Sequence, residues 1–409
     1  MERAAPLVAL VAGFVAVGSA CVALGLETSA RAEGGSPSAP RVSISRPQRP
    51  SSYAEPRNAI RVSTAPQLAA ALHRTTPTTI LLAPGTYDAT EPFRNEHGHR
   101  LIGRELGRSV LAAGLVLGGN FGADRPEVRG LTFDIRDPAK TFQSSAVNVW
   151  GRAGRRARIL DTVIKGNRVL ASGVLVRQPD GLLVRRVVIR DVTDYGVHVQ
   201  YYAPTHFSYV PDTTPRVEDI DIAGVKRAPV GSSDGTAEAG IWAGTRIELR
   251  RVRIREVGWA GIWTGARCDD SVLEDLDIDA VRGARVGIYI EHYTRRTVFR
   301  RFLLRARVHT GIKTEWADPA YEGTNPVPGE SLAASHHNVF EDGEIRSSWD
   351  GVAMYNSVRN VIRRVRFARQ RGAAIRDWGG VGNAWSGNDY RGLHPGALTV
   401  DRRHANDVP

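Results

Sequence analysis

Cysteine, methionine and aromatic residues are scarce in this sequence of 409 residues. The whole chain has two cysteines and two methionines, and Phe, Trp and Tyr together make up 7%. Cys21 lies in the apolar N-terminal segment, so the rest of the chain has only Cys268 and cannot form an internal disulfide. Stability must therefore come from packing of the hydrophobic residues, which make up 42%.

Long segments with helical periodicity are also missing. Short Val- and Ile-rich runs alternate with turn residues instead, and the chain contains 42 glycines. This pattern is typical of many short strands. The composition predicts an all-β protein and excludes an intrinsically disordered one.

The first residues have the features of an export signal. Arg3 precedes an apolar run from Pro6 to Leu26, and the small-residue site Ala30-Arg31-Ala32 follows. We therefore expect a signal peptide at 1–32 and a secreted protein. A retained membrane anchor is one alternative, because about 20 apolar residues can span a bilayer. A lipoprotein is another, because Gly18-Ser19-Ala20-Cys21 resembles a lipoprotein cleavage box.

Composition also suggests how the remaining chain is divided. Residues 33–57 are rich in Ser, Pro and Arg and predict a flexible linker, followed by a single domain at 58–400 and a C-terminal tail at 401–409. The formal charge is +12, and residues 1–32 contain two Arg and two Glu, so their removal leaves it at +12. A basic exported protein suggests an anionic partner such as a uronate polymer, teichoic acid or nucleic acid.

The main signal is an internal repeat of glycine followed by an apolar-x-apolar segment. The motif begins at Gly173, Gly196, Gly240, Gly261, Gly287, Gly311, Gly351 and Gly372. Successive glycines are 23, 44, 21, 26, 24, 40 and 21 residues apart, so most units have 21 to 26 residues and two carry an insert. Each unit also holds a second apolar-x-apolar segment, such as Val252-Arg253-Ile254. Two short strands per unit indicate the stacked coils of a β-solenoid.

Charged pairs before the second strand give an independent test of the register. They alternate in sign through seven units: Arg185-Arg186, Glu218-Asp219, Arg250-Arg251, Glu274-Asp275, Arg300-Arg301, Glu341-Asp342 and Arg363-Arg364. If coils stack at about 4.8 Å, each pair lies over a pair of opposite charge, and each contact contributes about 0.2–1 kcal/mol. Much of the arginine is therefore structural, which weakens the inference of an anionic ligand.

A further column of turn residues is polar and uncharged. It consists of Ser271, Thr297, Asn338, Asn360 and Asn383. Stacked side chains of this kind can form hydrogen bonds from coil to coil.

The N-terminal end of the repeat region predicts a cap. Pro66 to His73 has the pattern of a short amphipathic helix, which would cover the open edge of the first coil. This helix and the following strand with Pro84-Gly85-Thr86-Tyr87 resemble the start of pectin-lyase-like proteins, a superfamily of right-handed parallel β-helices. The resemblance covers about residues 60 to 395. It implies that fold with an N-terminal cap helix, and it assigns no single activity.

Two families of that superfamily have catalytic motifs that this sequence lacks. The Asp-rich calcium pattern of the pectate lyases and the paired-Asp motifs of the polygalacturonases are both absent. Their catalytic residues therefore cannot be transferred to this chain.

Alternation along the glycine-started strand predicts which residues face outward. Positions +1 and +3 are apolar and point inward, so positions +2 and +4 point outward. The +2 column includes His198, Trp242, Trp263, Tyr289 and Lys313. We predict that the three aromatic residues form an exposed strip that stacks on sugar rings, with His198 at its border. A loop folded over the strip is the alternative.

Glu291 and Glu315 occupy the +4 position of neighbouring coils, beside Lys313. Backbones about 5 Å apart would place the two carboxylates close enough to suppress each other's ionisation, as glycoside hydrolysis by a retaining mechanism requires. Alternatively, the two carboxylates hold Ca²⁺ while Lys313 abstracts a C5 proton, as in several lyases of the superfamily. In a third interpretation Lys313 only neutralises the pair. No other metal or cofactor is expected.

Neighbouring residues complete the predicted site. His292 and Trp316 follow the two glutamates at the strand ends and are candidate substrate contacts. Two inserts, 201–216 and 317–335, flank the aromatic strip, and a further loop at 226–237 contains Asp234. Long loops of this kind are usually functional or disordered, and we expect them to form the walls of a cleft.

These patterns predict an exported enzyme that cleaves glycosidic bonds in a polysaccharide, with a hydrolase slightly favoured over a lyase. A non-catalytic carbohydrate-binding protein of the cell surface and a polymer-level epimerase or transferase are the alternatives. Nucleic acid is not an expected partner, because the charge lies in ladders with few aromatic residues between them. The sequence does not indicate an oligomeric state.

Overall fold

The computed structural model describes most of the region in which the repeat occurs. Described are residues 44–45, 47–48, 50, 52–119, 125–151, 154–200, 211–226, 238–265, 268–279, 286–291, 294–305, 309–314 and 335–403. The predicted signal peptide and most of the predicted linker lie outside these ranges. None of the helices within them is long and apolar enough to cross a bilayer.

Short parallel strands stacked coil on coil make up the described chain, which confirms the predicted all-β parallel β-helix. One sheet of 12 strands, here called the long sheet, contains Phe93–Asn95, Leu115–Leu117, Ser145–Val149, Ser172–Val176, Tyr195–Gln200, Ala239–Gly244, Ala260–Thr264, Val286–Ile290, Thr310–Thr314, Asp350–Tyr355, Ala373–Trp378 and Leu398–Arg403. A small sheet pairs Thr294–Arg295 with Ser335–His336.

The other strands form one continuous bonded set of 21 strands that bends around the remaining faces. They are Ile60–Val62, Thr79–Leu82, Gly85–Tyr87, Arg100–Gly103, Ser109–Leu111, Glu127–Arg129, Thr132–Asp134, Arg158–Leu160, Val163–Lys165, Leu183–Arg185, Val188–Arg190, Arg216–Val225, Glu248–Val257, Val272–Asp279, Val298–Leu304, Val339–Glu341, Glu344–Ile345, Val361–Arg363, Arg366–Ala368, Ala384–Ser386 and Asp389–Gly392. A short 3-10 helix, Pro138–Lys140, lies in the connection between the strands Thr132–Asp134 and Ser145–Val149.

The predicted cap helix is present at Ala65–Leu72. Thr64 caps its N terminus, and Leu68 and Leu72 are buried beneath it. The ring of His99 holds the other end, because its Nε2 lies 3.2 Å from the carbonyl oxygen of Leu72. The first coil is therefore covered by a helix and bonded to it.

Each recurring glycine in the central coils faces the interior. A Cβ added at Gly240 would lie 2.6 Å from Cγ2 of Ile254, and one at Gly261 would lie 2.4 Å from Cγ2 of Ile278. These positions have no room for a side chain. Because the next residue also points inward, strict alternation is broken at the glycine, and the residue before it points outward.

The register of the long sheet agrees with the predicted +2 column. His198 pairs with Trp242, Trp242 with Trp263, Trp263 with Tyr289, and Tyr289 with Lys313.

The eighth repeat is displaced by two residues. Arg376 pairs with Ala353, so Ala374 rather than Gly372 takes the place of the recurring glycine. Alanine is small enough to satisfy the motif in either register, which is why the pattern alone placed the repeat at Gly372.

The alternating charged pairs stack as predicted. Glu274 accepts hydrogen bonds from Arg300 Nε at 2.7 Å and from Arg301 Nη2 at 2.7 Å, and its other oxygen lies 3.1 Å from Arg250 Nε. The second residue of each pair has a left-handed backbone, with φ between 51° and 56°: Arg186, Asp219, Arg251, Asp275, Arg301, Asp342 and Arg364. The charge ladder thus follows the bend between two strands.

The polar column also forms the predicted ladder. The backbone N–H of Asn338 donates to Asn360 Oδ1 at 2.9 Å, and that of Asn360 donates to Asn383 Oδ1 at 2.8 Å. Asn360 Nδ2 also donates to the Ser335 carbonyl oxygen at 3.1 Å. These buried amides connect successive coils at the turn.

Both ends of the solenoid extend past the boundaries expected from composition. Within the segment predicted as a linker, Ser52 forms a bridge with Glu105, and the Tyr53 ring lies 5.6 Å from the guanidinium of Arg129. At the other end, the last strand of the long sheet continues to Arg403, beyond residue 400.

Candidate functional site

The outer wall of the long sheet carries a cluster of contacting rings, here called the aromatic patch. It consists of Tyr195, His198, Trp242, Trp259, Trp263 and Tyr289. Ring centroids are 4.5 Å apart for His198 and Trp242, 6.2 Å for Trp242 and Trp263, and 5.7 Å for Trp263 and Tyr289. All three contacts are edge-to-face, the favourable arrangement for aromatic rings. The structure thus brings four of the sequence-predicted residues together.

Two glycines give the indole of Trp242 its place on the wall. A Cβ at Gly244 would lie 2.4 Å from Cη2 of Trp242, and one at Gly265 would lie 2.6 Å from Cζ2. These glycines occupy the outward +4 position of two adjacent coils. Because neither has a side chain, the indole lies along the wall.

The expectation that the strip is exposed was wrong in part. Tyr289 is buried with 7% of its surface exposed, and Trp242 and Trp263 are half-buried. The rings cover one another, and the buried residues Ala260 and Val286 form their floor. Edges and partial faces of the patch, rather than three free rings, are available to a ligand.

Trp259 and Tyr195 are members of the patch that the alternation rule missed. The Trp259 centroid lies 5.2 Å from that of Trp263 and 4.7 Å from that of Tyr289, and the Tyr195 centroid lies 4.6 Å from that of His198. Both precede the recurring glycine, where alternation fails. A second aromatic residue two positions before Gly261 was the available signal.

Glu291 is attached to the aromatic patch. It follows the strand Val286–Ile290, and its backbone N–H donates to the Thr264 carbonyl oxygen at 3.0 Å. Trp263 Nε1 donates a hydrogen bond to Glu291 Oε2 at 3.1 Å. A predicted catalytic carboxylate is therefore oriented by a predicted sugar-binding side chain.

Lys313 continues the +2 column beyond the patch. It pairs with Tyr289 in the sheet, and its Nζ lies 5.9 Å from the ring centroid of Tyr355.

The other predicted site residues, Glu315, His292 and Trp316, lie outside the described residues, as do 201–210, 227–237 and 315–334. The paired carboxylates and the cleft walls therefore stay predictions.

His198 forms the N-terminal border of the patch as a neutral imidazole. Burial lowers its pKa to about 4, and the nearby positive charge of Arg177 acts in the same direction. Its Nε2 is buried and has no hydrogen-bond partner in the part of the chain that the structure describes. The ring is uncharged at neutral pH.

Two carboxylates that the sequence reasoning missed border the patch. Asp194 and Glu238 stand two residues before the recurring glycine in adjacent coils, and Trp259 occupies this position in the next coil. Backbone bonds fix the stacking, because Ala239 N–H donates to the Asp194 carbonyl oxygen and Ala260 N–H donates to that of Glu238, both at 2.9 Å.

Metal coordination has no preformed centre within the described ranges. No group of three or more His, Cys, Asp or Glu side chains there is placed to hold a metal ion. The carboxylate oxygens of Glu291 are the donor type that Ca²⁺ prefers.

No known protein family and no curated protein matches this sequence. Solved structures with a similar fold include the A-module of mannuronan C-5 epimerase AlgE4 from Azotobacter vinelandii, with 12% identity over 81% of this chain and 94% of that chain and a TM-score of 0.45. The surface adhesin PfbA of Streptococcus pneumoniae has 10% identity over 82% and 87%, with a TM-score of 0.45. The catalytic domain of a GH87 α-1,3-glucanase in complex with nigerose has 11% identity over 88% and 70%, with a TM-score of 0.48. At these identities the likeness concerns the fold alone.

Proposed function

We propose that this chain is an exported carbohydrate-active enzyme that binds a polysaccharide along the aromatic patch and cleaves its glycosidic bonds with Glu291 as a catalytic carboxylate. The hydrogen bond from Trp263 Nε1 to Glu291 Oε2 carries the proposal. It joins an acid group to a ring surface suited to sugars, on the outer wall of the long sheet.

The spacing of the wall supports a polymeric sugar ligand. Successive coils are about 4.8 Å apart, roughly the length of one pyranose unit, so each coil can contact one sugar of an extended chain. The half-buried rings of Trp242 and Trp263 offer apolar surface to the C–H faces of the sugars. Partly exposed aromatic clusters of this kind usually mark interaction sites.

Hydrolysis would require a second carboxylate, and Glu315 is the candidate. In the proposed reaction one carboxylic acid gives its proton to the glycosidic oxygen as the C1–O bond breaks, and the other carboxylate attacks or activates water at C1. Trp263 fixes the orientation of Glu291, which a proton donor or nucleophile requires. The carboxyl groups would be about 5–5.5 Å apart in a retaining enzyme.

A lyase is the second candidate, and the position of Lys313 favours it. The amine lies one coil beyond Tyr289 on the same wall. As a base it would take the C5 proton of a uronate while the C4–O bond breaks, leaving a C4–C5 double bond. In that reaction Glu291 and Glu315 would hold Ca²⁺ against the substrate carboxylate.

Product analysis tests the proposal. The chain from Glu33 onward is incubated with separate neutral and uronate polysaccharides, with and without EDTA, and reducing ends and absorbance near 235 nm are measured together. Reducing ends alone identify a hydrolase, and reducing ends with new absorbance identify a lyase. Binding without either signal, or a changed sugar configuration at constant chain length, would replace cleavage by the binding or epimerase function.

The variant Glu291→Gln tests the named residue. We expect its rate on the cleaved polymer to fall at least 100-fold, because general acid–base or nucleophilic groups contribute about 10²- to 10⁴-fold. Glu344→Gln is the matched control, since Glu344 is also half-buried and accepts a hydrogen bond, from Arg346 Nε at 2.6 Å, but lies outside the long sheet. Full activity of Glu291→Gln would remove Glu291 from the mechanism.

A further inference from the structure

We propose that His309 and Trp349 form a second sugar-binding platform on the outer wall, separate from the aromatic patch, and that it takes a neutral pyranose ring of the same polysaccharide chain. The inference rests on the proposed polysaccharide-binding function. It extends the bound polysaccharide from the aromatic patch towards the C-terminal coils of the solenoid.

The exposure of Trp349 sets it apart from the rings of the patch. Its surface is 45% exposed, and the other exposed large hydrophobic residues within the described ranges are Val381 and Leu398. The Trp349 ring stacks against that of His309 with an angle of 16° between the planes and 6.0 Å between centroids. A flat ring supported on one side and open to solvent on the other is the arrangement that sugar stacking needs.

Trp349 lies in the same column as Trp259 of the aromatic patch. The sheet register defines this column, because Ala260, Val286, Thr310 and Asp350 pair in successive coils, and Trp259 and Trp349 directly precede the first and the last of them. The two tryptophans are three coils apart, which is about 14 Å at the spacing between strands. A chain that contacts both must therefore span about three sugars between them.

The backbone of the coil beyond Trp349 lies close to the edge of the indole. Gly372 N–H donates to the Trp349 carbonyl oxygen at 3.0 Å, so Gly372 stands at the stacked position in the next coil. A Cβ there would lie 3.0 Å from Trp349 Nε1. Because the residue is glycine, position 372 adds no side chain over the indole, and the exposed 45% of the Trp349 surface stays accessible.

The charges beside the platform indicate a neutral sugar. Asp350 pairs with Arg376 Nε at 2.9 Å and Nη2 at 3.0 Å, and Arg376 Nη1 reaches Asp401 at 2.8 Å. Two carboxylates thus engage the single guanidinium of Arg376, and all three side chains are mostly buried. A sugar carboxylate would find the guanidinium of Arg376 already engaged, whereas the C–H face of a neutral ring needs only the indole.

The test compares binding by chain length. In the Glu291→Gln background, which leaves the polymer intact, the full chain is titrated by biolayer interferometry against immobilised dextran, laminarin, xylan, polygalacturonate and alginate. The polymer that binds is partly hydrolysed with acid, and purified fragments of three and of eight sugars are titrated against the parent, Trp349→Ala and Trp349→Phe. Val381→Ala is the control, because Val381 is an exposed apolar residue in an isolated bridge outside the long sheet.

We expect Trp349→Ala to bind the eight-sugar fragment about tenfold more weakly, the effect of uncovering roughly 50 Å² of apolar surface, and to bind the three-sugar fragment as the parent does. Trp349→Phe should lose less than threefold, and Val381→Ala nothing. Unchanged binding of the longer fragment by Trp349→Ala would overturn the platform and leave the proposed function intact. An equal loss for both fragments would assign Trp349 to the patch and also overturn it.

Two further outcomes also count against the inference. If no polymer binds the parent, the proposed function and the platform fall together. If Trp349→Ala changes the sedimentation coefficient but not the binding of sugars, the indole is a contact between copies of the chain.

Discussion

The bend that carries the charge ladder and the outer wall of the long sheet are built on the same stacking of coils, yet they use it in opposite ways. In the ladder, arginine and acidic residues alternate through seven units, and each finds its partner in the coil above or below. On the wall, the +2 column changes residue type at almost every coil: Leu175, His198, Trp242, Trp263, Tyr289, Lys313 and Ala353. A residue pattern that repeats from coil to coil indicates positions whose partners lie in the neighbouring coil. A pattern that varies indicates positions whose side chains can contact a ligand instead.

The largest expected effect comes from breaking the ladder at its most buried member. Glu274 has 6% of its side chain exposed and is surrounded by three arginines. Burial alone would raise its pKa, but hydrogen bonds from Arg300 and Arg301 outweigh this and hold the pKa below its usual value. We expect Glu274→Gln to lower the free energy of unfolding by about 3 kcal/mol, because it removes the buried negative charge that the three arginines share.

Urea denaturation of Glu274→Gln beside Asp342→Asn checks this value. Asp342 pairs with Arg364 at 2.6 Å, but 32% and 48% of the two side chains are exposed. Asparagine also tolerates the left-handed backbone there. We expect a loss below about 1 kcal/mol, as for an exposed ion pair. Equal losses in the two variants would show that burial of the carboxylate does not determine how much an ion pair of the ladder stabilises the protein.

The two regions should also respond to acid in different pH ranges. The folded pKa of His198 is about 4, below the ordinary value near 6.5, so the unfolded chain binds more protons between these values. Stability from this residue is complete above about pH 6.5 and is lost as the pH falls to 4, by about 3 kcal/mol. The ladder carboxylates Glu274 and Asp342, whose pKa values are lowered, lose their contribution only as the pH falls below about 4.

Unfolding free energies measured from pH 4 to 7 test this difference. We expect His198→Gln to reduce the dependence of the unfolding free energy on pH relative to the wild type. The exposed control His394→Gln should leave this dependence unchanged. His336, with a pKa also lowered to about 4 by burial, supplies part of the slope that remains. An unaltered slope in His198→Gln would contradict the buried neutral imidazole.

A smaller effect is expected from filling the space beneath Trp242. In Gly265→Ala the new Cβ would lie 2.6 Å from Cζ2 of the indole, so the ring must move. We expect a loss of about 1–2 kcal/mol, typical of overpacking, with a red-shifted tryptophan emission and weaker polysaccharide binding. In the control Gly119→Ala the nearest atom, Cγ of Glu96, is at 3.4 Å. Unchanged emission of Gly265→Ala would mean that Trp242 does not depend on the glycine.

The register of the coils could be predicted from the sequence because stacking repeats the same contact many times. A single glycine motif, a charged pair and a polar turn residue each occur in most units, and an error in one is corrected by the others. The fold, the cap helix and the order of His198, Trp242, Trp263 and Tyr289 followed from that repetition.

The wall was harder to predict because its side chains contact one another across the break in alternation. The inward glycine leaves the residue before it pointing outward, so Tyr195 joins the patch from a position that a period of two assigns to the interior. Trp259 joins it from two positions before the glycine, outside the stretch to which the alternation rule was applied. Mutual coverage of the rings, which buries Tyr289, depends on side-chain conformations that spacing does not encode. The same limit applies to the indole of Trp242 lying over Gly265.

The alternation of the charge ladder also restricts how such a chain can grow. Duplication or loss of one coil would place arginine pairs over arginine pairs, or acidic pairs over acidic pairs, at the bend where Arg301 now meets Asp275. Like charges directly opposite are destabilising. Duplication or loss of two consecutive coils preserves the alternation of charge in the ladder. We therefore expect coils of the ladder region to be gained or lost in pairs. Changes of length within one coil are expected only in the inserts between strands, which do not take part in the stacking.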